Sequence, residues 1–316
     1  MSGYRPFRFG LIVHRADSKD DWADKAKRAE DTGYAILLMP DHFGNQLAPV
    51  PALVAAAEVT TTLRIGSFVF DNDFRHPVVL AKEAATIDVL TGGRFELGLG
   101  AGWRGGEYKQ SGIPFDAASV RVERMEEALR IIKGLFSDGP VDFADKYYTI
   151  TNLEGFPKPV QRPHPPILIG GGGKRMLSIA GREANIVGLT FRGRGDGEGL
   201  DMDDVPTSME QKLTWVRQAA GERFDDLELN IIVFGAVVTD SQQEAAQQVA
   251  TLIRATEGYE VSGEQLLASP HFLIGSVDQI SEELLSNREK CGISYVSVFE
   301  RDMDAFTPVV ARLAGK

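Results

Sequence analysis

The chain has 316 residues, 43% of them hydrophobic and 25% charged, with a formal net charge of −11 at pH 7, the make-up of an ordinary globular protein long enough for one large domain or two small ones. The acidic balance argues against a general nucleic-acid binder, no run approaches the roughly 18 apolar residues of a membrane span, and a single cysteine, Cys291, rules out an internal disulfide framework. The five histidines are scattered without zinc-like spacing, so no metal is expected, and MSGYRPFRFG has no signal-peptide core, so a cytoplasmic location is the expectation.

Strand-like and helix-like segments alternate along the chain. FRFGLIVH (7–14) reads as a strand, DDWADKAKRAEDTG (20–33) as an amphipathic helix closed by Gly33, and AILLM (35–39) as a short apolar strand. A helix over 51–62 and a strand over 63–69 follow. The next helix, 76–93, has Pro77 in its first turn and glycines at its end, the usual asymmetry. RFELGLG (94–100) is the fourth strand. The helix from Ala118 to Leu135 carries an apolar stripe at Val122, Met125, Leu129 and Ile132, and 141–150 reads as a hairpin-like excursion. Beyond it come strands at 166–170, 185–190, 227–238 and 294–299, with helices at 174–182, 207–220, 241–257, 277–290 and 304–314.

Eight strands alternating with helices predict the α/β class and a (β/α)8 TIM barrel with insertions. The domain expectation is a single barrel over 1–316, with an insertion around 104–165 and a loop or lid around 191–206. A doubly wound sheet is the rival, and Gly100, Gly102 and Gly105 satisfy the G-x-G-x-x-G spacing of dinucleotide-binding turns. Two points weigh against it. The glycine turn follows the fourth strand rather than the first, and Pro114 and Phe115 intervene before the long helix, so no helix is expected to open directly on the turn. In a barrel, chemistry belongs at the C-terminal ends of the strands. Those ends carry His14, Asp41-His42, 69–73, Gly100 to Trp103, Gly170 to Gly173 and 190–194, whereas His164 precedes the fifth strand and is expected to be structural.

Several stretches carry a family resemblance: AEDTGYAILLMPDHF (29–43), RHPVVLAKEAATIDVLTGGRFELGLGAGW (75–103), VRVERMEEALRIIKGLF (120–136), PPILIGGGGKRMLSIAGREANIVG (165–188) and HFLIGSVDQISEELLSNREKCGISYVSV (271–298). Together they cover most of the chain, in family order, and resemble the luciferase-like monooxygenase superfamily, within it the oxidoreductases that use the deazaflavin coenzyme F420. The resemblance implies a β/α barrel. It also implies that Ala101, Gly102 and Gly106 border a flat isoalloxazine-like ring, the turn's glycines letting the ring approach the backbone. It implies a non-proline cis peptide at Phe68–Val69 supporting the ring from behind. Gly172, Gly173, Arg175 and Met176 are implied to meet the cofactor's phosphate-bearing chain, where amides at a helix N-terminus bind phosphate and Lys174, Arg175, Arg192 and Arg194 add positive charge.

By the same resemblance Asp41 hydrogen-bonds the deazaflavin and His42 stands beside the reacting ring as a proton carrier; the alternative is that His42 only fixes loop geometry. His14 is a second candidate proton carrier and, with Trp103 and Thr190, is assigned to the substrate pocket. Relatives that oxidise sugars place a glutamate where this chain has Trp103, which either shapes a hydrophobic pocket or plugs the barrel mouth. Glu107 is expected to hold its loop by hydrogen bonds. The expected cofactor is coenzyme F420, with FMN and oxygen-dependent monooxygenation as the alternative, and a non-catalytic flavin- or deazaflavin-binding protein as a third reading. The expected partners are a small-molecule substrate and a second copy of the chain, since the helices 51–62 and 76–91 are more apolar than barrel helices facing only water; neither nucleic acid nor membrane is expected.

Overall fold

The computed structural model describes residues 4–194, 197, 200–201 and 209–316. In each barrel strand, side chains alternate between two environments, as the period of two requires. Along the first strand, Arg8–Ile12, Phe9 and Leu11 join the large core packed under the helices, while Ile12 joins a second cluster with Ile36, Leu38, Leu168, Ile186 and Tyr295. These residues come from five different strands, and they can meet only inside a closed sheet.

The barrel strands are Arg8–Ile12, Ile36–Met39, Arg64–Ser67, Phe95–Gly100, Ile167–Gly171, Ile186–Leu189, Glu228–Ile232 and Ile293–Phe299. They close as an eight-strand parallel barrel, the predicted TIM architecture. The first strand lies between the second and eighth (Gly10↔Ile36, Gly10↔Ser297), and Ile65↔Phe95 joins the third to the fourth. The strands are largely apolar on both faces because helices cover the outside and side chains fill the inside. The helix ends follow local chemistry. Ser18 caps Lys19–Asp31 by accepting from the Asp21 amide at 3.1 Å. Ser276 and Gln279 form a reciprocal capping box at the start of Val277–Cys291, which ends on left-handed Gly292 (φ 77°).

The N-terminal floor of the barrel is ionic. Arg8 bonds both Glu96 and Glu228 at 2.6 Å, Arg64 bonds Glu96 at 2.8 Å, and the Arg8 guanidinium lies 3.9 Å from the Tyr295 ring centre. Burial alone would push the Glu96 carboxyl up, but the two guanidinium groups outweigh it and hold it below the ordinary carboxylate range.

Two local predictions need correction. The strand expected over 227–238 is two strands. The Val233 amide donates to Ser297 O at 2.8 Å, still on the barrel, but the Phe234 amide donates to His271 O at 2.8 Å. From there Gly235–Val238 pairs in parallel with Phe272–Gly275, a strand within HFLIG that periodicity did not single out. A helix does open directly on the glycine turn, at Gly105–Ser111. The doubly wound sheet fails because the sheet closes, not because that helix is missing. The segment 104–165 lies between the fourth and fifth strands and holds this helix, the helix Ala118–Phe136 and an antiparallel hairpin of Pro140–Ala144 with Thr149–Glu154. Of the loop 191–206, residues 195–196, 198–199 and 202–206 lie outside the described residues; Arg192–Gly193 pairs antiparallel with Leu200–Asp201. Among the described residues no helix is long and apolar enough to cross a membrane, and no group of three or more His, Cys, Asp or Glu side chains could hold a metal ion.

Candidate active site at the mouth of the barrel

At the C-terminal ends of the strands, the half-buried side chains of Phe68, Val69, Ile232 and Phe299 pack on the interior cluster and form an apolar shelf. Phe68–Val69 is joined by a non-proline cis peptide, at the position the resemblance implied. Beyond it the chain resumes pairing: Phe70↔Leu99 and Asp71↔Gly100 extend the third strand along the fourth.

The glycines of the fourth strand, Gly98 and Gly100, make room for this bulge. A Cβ on Gly100 would stand 2.6 Å from Val69 Cγ2, and one on Gly98 would collide with the Ser67 carbonyl. Gly102 adopts φ +75°, and a Cβ there would overlap the Tyr108 hydroxyl. Gly106 opens onto free space, with nothing within 4 Å of a Cβ. Ala101 is buried, and its carbonyl accepts from Arg121 Nε at 3.1 Å.

Asp41 and His42 follow the second strand and look in different directions. Asp41 is buried and forms an ion pair with Arg75, while its Oδ2 also accepts from the Asp71 amide at 3.2 Å. Arg75, in RHPVVL, was not singled out by the sequence. Behind this pair Tyr108 Oη donates to Asp71 at 2.7 Å, and Arg124 holds Asp73 through two bonds of 2.8 Å. Burial drives the Asp71 carboxyl up to about 7; the Asp73 amide and Tyr108 hydroxyl oppose the shift, and the charges of Asp73 and Asp41 add to it.

The His42 imidazole is half-buried. Its Nδ1 lies 2.9 Å from Glu107 Oε2, and Trp103 meets it edge-on with ring centres 5.8 Å apart. Glu107 Oε1 accepts from Arg104 at 3.0 Å. Glu107 thus makes the hydrogen bonds expected of it, but with a partner 65 positions away that the sequence did not suggest. His14, at the end of the first strand, has its imidazole pKa lowered by burial first and then by the charge of Arg15, with Glu300 opposing and Lys25 and His42 adding lesser contributions. It is therefore held towards the neutral form.

The second glycine turn crosses from the fifth strand into the helix Lys174–Glu183. A Cβ on Gly172 would lie 2.6 Å from the Thr190 carbonyl, so the turn needs a glycine to pack on the end of the sixth strand. Thr190 is half-buried, and its carbonyl accepts from Lys212 at 2.9 Å. Gly173 is the N-cap and supplies no side-chain cap, which leaves the first helical amides for solvent or a ligand. Met176 packs its Cβ against Gly171. The Arg175 side chain turns outward: its guanidinium bonds Ser119 O at 3.2 Å and pairs with Glu126 and Glu123. The positive charge expected of Arg175 at this turn is thus directed to the helix Ala118–Phe136, and its amide is what remains at the helix start. His164 stays at the opposite end of the barrel, bonded to Pro165 O and packed on Phe136.

A histidine-bearing polar rim over an apolar shelf, at the C-terminal ends of eight closed strands, is the site of a β/α-barrel enzyme. Residues 4–295 match the luciferase-like monooxygenase family model, and the chain belongs to that family. A curated FMNH2-dependent dimethylsulfone monooxygenase from Pseudomonas putida is 26% identical over 80% of this chain and 69% of its own length. An F420-dependent glucose-6-phosphate dehydrogenase from Microbacterium testaceum is 30% identical over 66% of this chain and 69% of its own. Another, from Amycolatopsis mediterranei, is 31% identical over 51% of this chain, a match spanning 50% of that protein. The family thus holds both F420-dependent oxidoreductases and FMN-dependent monooxygenases. The F420-dependent tetrahydromethanopterin reductase of Methanopyrus kandleri shares the fold, with a TM-score of 0.74 at 19% identity over 98% of this chain and 99% of that one.

Proposed function

We propose that the protein is an oxidoreductase that uses coenzyme F420 to move a hydride to or from a small organic substrate carrying a carbonyl, imine or enone. The observation that carries this reading is the half-buried His42 imidazole at the barrel mouth, bonded to the Glu107 carboxylate at 2.9 Å. Adding a hydride to such a group leaves a charge that a proton must quench, and the reverse oxidation releases one. A side chain that exchanges protons near neutral pH meets both needs.

The residues fit the cofactor. The shelf of Phe68, Val69, Ile232 and Phe299 suits the face of a tricyclic ring, the uncapped amides at Gly173 suit a phosphate, and the open space at Gly106 leaves room at the rim. Asp41 Oδ1 accepts one bond, from Arg75, and keeps a lone pair for a ring donor. Bound F420 supplies the hydride, and the carbon at its reactive position disfavours reaction with oxygen. The chain's part is to seat the ring on the shelf, anchor the phosphate by backbone donors, exclude water with Trp103 at the rim, and hold a proton at His42. His14, held towards neutrality, suits the role of an acceptor rather than a donor. Trp103 stands where sugar-oxidising relatives have a glutamate, which argues against their acid chemistry at this position.

The second reading, an FMN-dependent monooxygenase, is supported by the dimethylsulfone monooxygenase among the relatives. The third, a carrier without turnover, is opposed by the supported imidazole. Titrating the purified protein with F420 and FMN by absorbance, then mixing the reduced complex with oxygen and with a panel of enones, separates all three. The expected result is preferential F420 binding, substrate reduction and slow oxygen uptake. Preferential FMN binding with rapid oxygen uptake overturns it, as does a bound complex inert to every acceptor.

The protein is also a homodimer in this reading. Val79, Val89 and Leu90 on the helix Pro77–Leu90 are 49%, 42% and 58% exposed, an apolar outer face that a second copy would cover. Sedimentation at micromolar concentration should give twice the chain mass; a monomer refutes it.

A further inference from the structure

We propose that Glu107 is a positioning residue that fixes the tautomer of His42, so that Nε2 is the nitrogen through which the imidazole exchanges protons. For the chemistry, this rests on the function proposed above; for the tautomer, it stands on geometry alone. The side chain of Glu107 is 10% exposed, and that of His42 22%. Glu107 Oε2 lies 2.9 Å from His42 Nδ1, while Oε1 accepts from Arg104 Nη1 at 3.0 Å. A carboxylate paired with a guanidinium can only accept hydrogen bonds. In the neutral ring Nδ1 must then carry the proton, and the lone pair sits on Nε2. None of the described residues forms a hydrogen bond with His42 Nε2.

The carboxylate is held where it can do this. Glu107 stands in the first turn of the helix Gly105–Ser111, which Gly112 closes in a left-handed cap. Its neighbour Tyr108 pins that helix to the bulge by donating to Asp71 at 2.7 Å. Trp103 closes the imidazole's flank edge-on, at an interplanar angle of 85°. In the oxidising direction, the substrate's C–H bond would break and its electron pair leave as hydride, for which bound oxidised F420 would be the acceptor. The O–H bond breaks as well; its proton moves to Nε2, and the oxygen's electron pair completes the carbonyl. The imidazolium so formed keeps Nδ1–H on the Glu107 carboxylate. In the reducing direction the same proton returns to the substrate oxygen.

The test reads the imidazole directly. Two-bond ¹H–¹⁵N spectra of histidine-labelled protein without cofactor, at a pH where the ring is neutral, report which nitrogen bears the proton, and His42→Gln assigns the resonance. In the wild type, His42 should carry its proton on Nδ1. In Glu107→Ala it should shift to Nε2, the tautomer free imidazole side chains prefer. With reduced F420, kcat of Glu107→Ala should fall at least about 10²-fold, the lower edge of what a lost proton transfer costs, while F420 affinity holds. A wild-type proton on Nε2 overturns the proposal even if the variant does not fold, and so does an unchanged tautomer in Glu107→Ala. If the wild-type ring carries its proton on Nδ1 and no acceptor is reduced, the function reading fails and the positioning role stands.

Discussion

Replacing Glu96 with alanine lowers the unfolding free energy by about 3–5 kcal/mol, the usual loss when one partner is removed from a buried ionic cluster. Glu96 has only 4% of its side chain exposed and binds two guanidinium groups, Arg8 at 2.6 Å and Arg64 at 2.8 Å. Without it, Arg8 keeps Glu228 and Arg64 keeps the Phe95 carbonyl and Gln161, but two positive charges then face one carboxylate inside the barrel. Glu228→Ala should cost less, because that carboxylate is 15% exposed and pairs with Arg8. The pH dependence has a definite sign. Because the folded Glu96 pKa is held below its unfolded value, its contribution is present above the unfolded pKa and disappears as pH falls through the folded one. Glu96→Ala should therefore flatten the acid limb of the stability curve. Denaturant unfolding of both variants between neutral and acid pH checks the claim; a loss below about 1 kcal/mol, the scale of an exposed pair, would show that the floor is solvated.

The barrel was legible wherever a strand is buried on both faces. AILLM and PILIG read as strands because water reaches neither side, and the helix Pro77–Leu90 announced itself by Pro77. The sequence did not show where a strand changes partners: Ile232 and Phe234 look alike in an apolar run, and only the switch from Ser297 to His271 as acceptor divides them. The site was legible as a set of strand ends but not as a set of pairs. His42 and Glu107, Asp41 and Arg75, Tyr108 and Asp71 are each joined across long stretches of chain, and closure of the barrel, not local spacing, brings them together. Arg175 shows the converse. Its place beside a glycine turn suggested an anion ligand, and its guanidinium also lies 3.7 Å from Glu123 and 3.5 Å from Glu126, one helix away, partners that spacing did not suggest. Gly98 and Gly100 of the fourth strand answer a demand that spacing does not show, the close approach of Ser67 and Val69, which arises only once the third and fourth strands lie side by side.

Changing His42 to alanine should lower kcat by about 10²–10⁴, the range for removal of a general acid or base, equivalent to about 3–5 kcal/mol of transition-state stabilisation. Cofactor affinity should hold, because the shelf of Phe68, Val69, Ile232 and Phe299 and the amides after Gly173 would carry it. KM should change little, since the ring's contribution is made as the proton moves and not when substrate docks. The competing role, that His42 merely fixes loop geometry, predicts a different pattern. Removing the ring would then free Glu107 and Trp103 together, lowering thermal stability and cofactor binding along with turnover, and His42→Gln, which keeps a hydrogen-bond donor for Glu107, would restore all three. As a proton carrier His42 cannot be replaced by glutamine, whose amide does not exchange a proton near neutral pH. The deciding measurement is His42→Gln with reduced F420 and a competent acceptor. Intact stability and F420 binding with turnover still down about 10²-fold or more place the proton on this imidazole, and wild-type turnover in the same variant removes His42 from the chemistry.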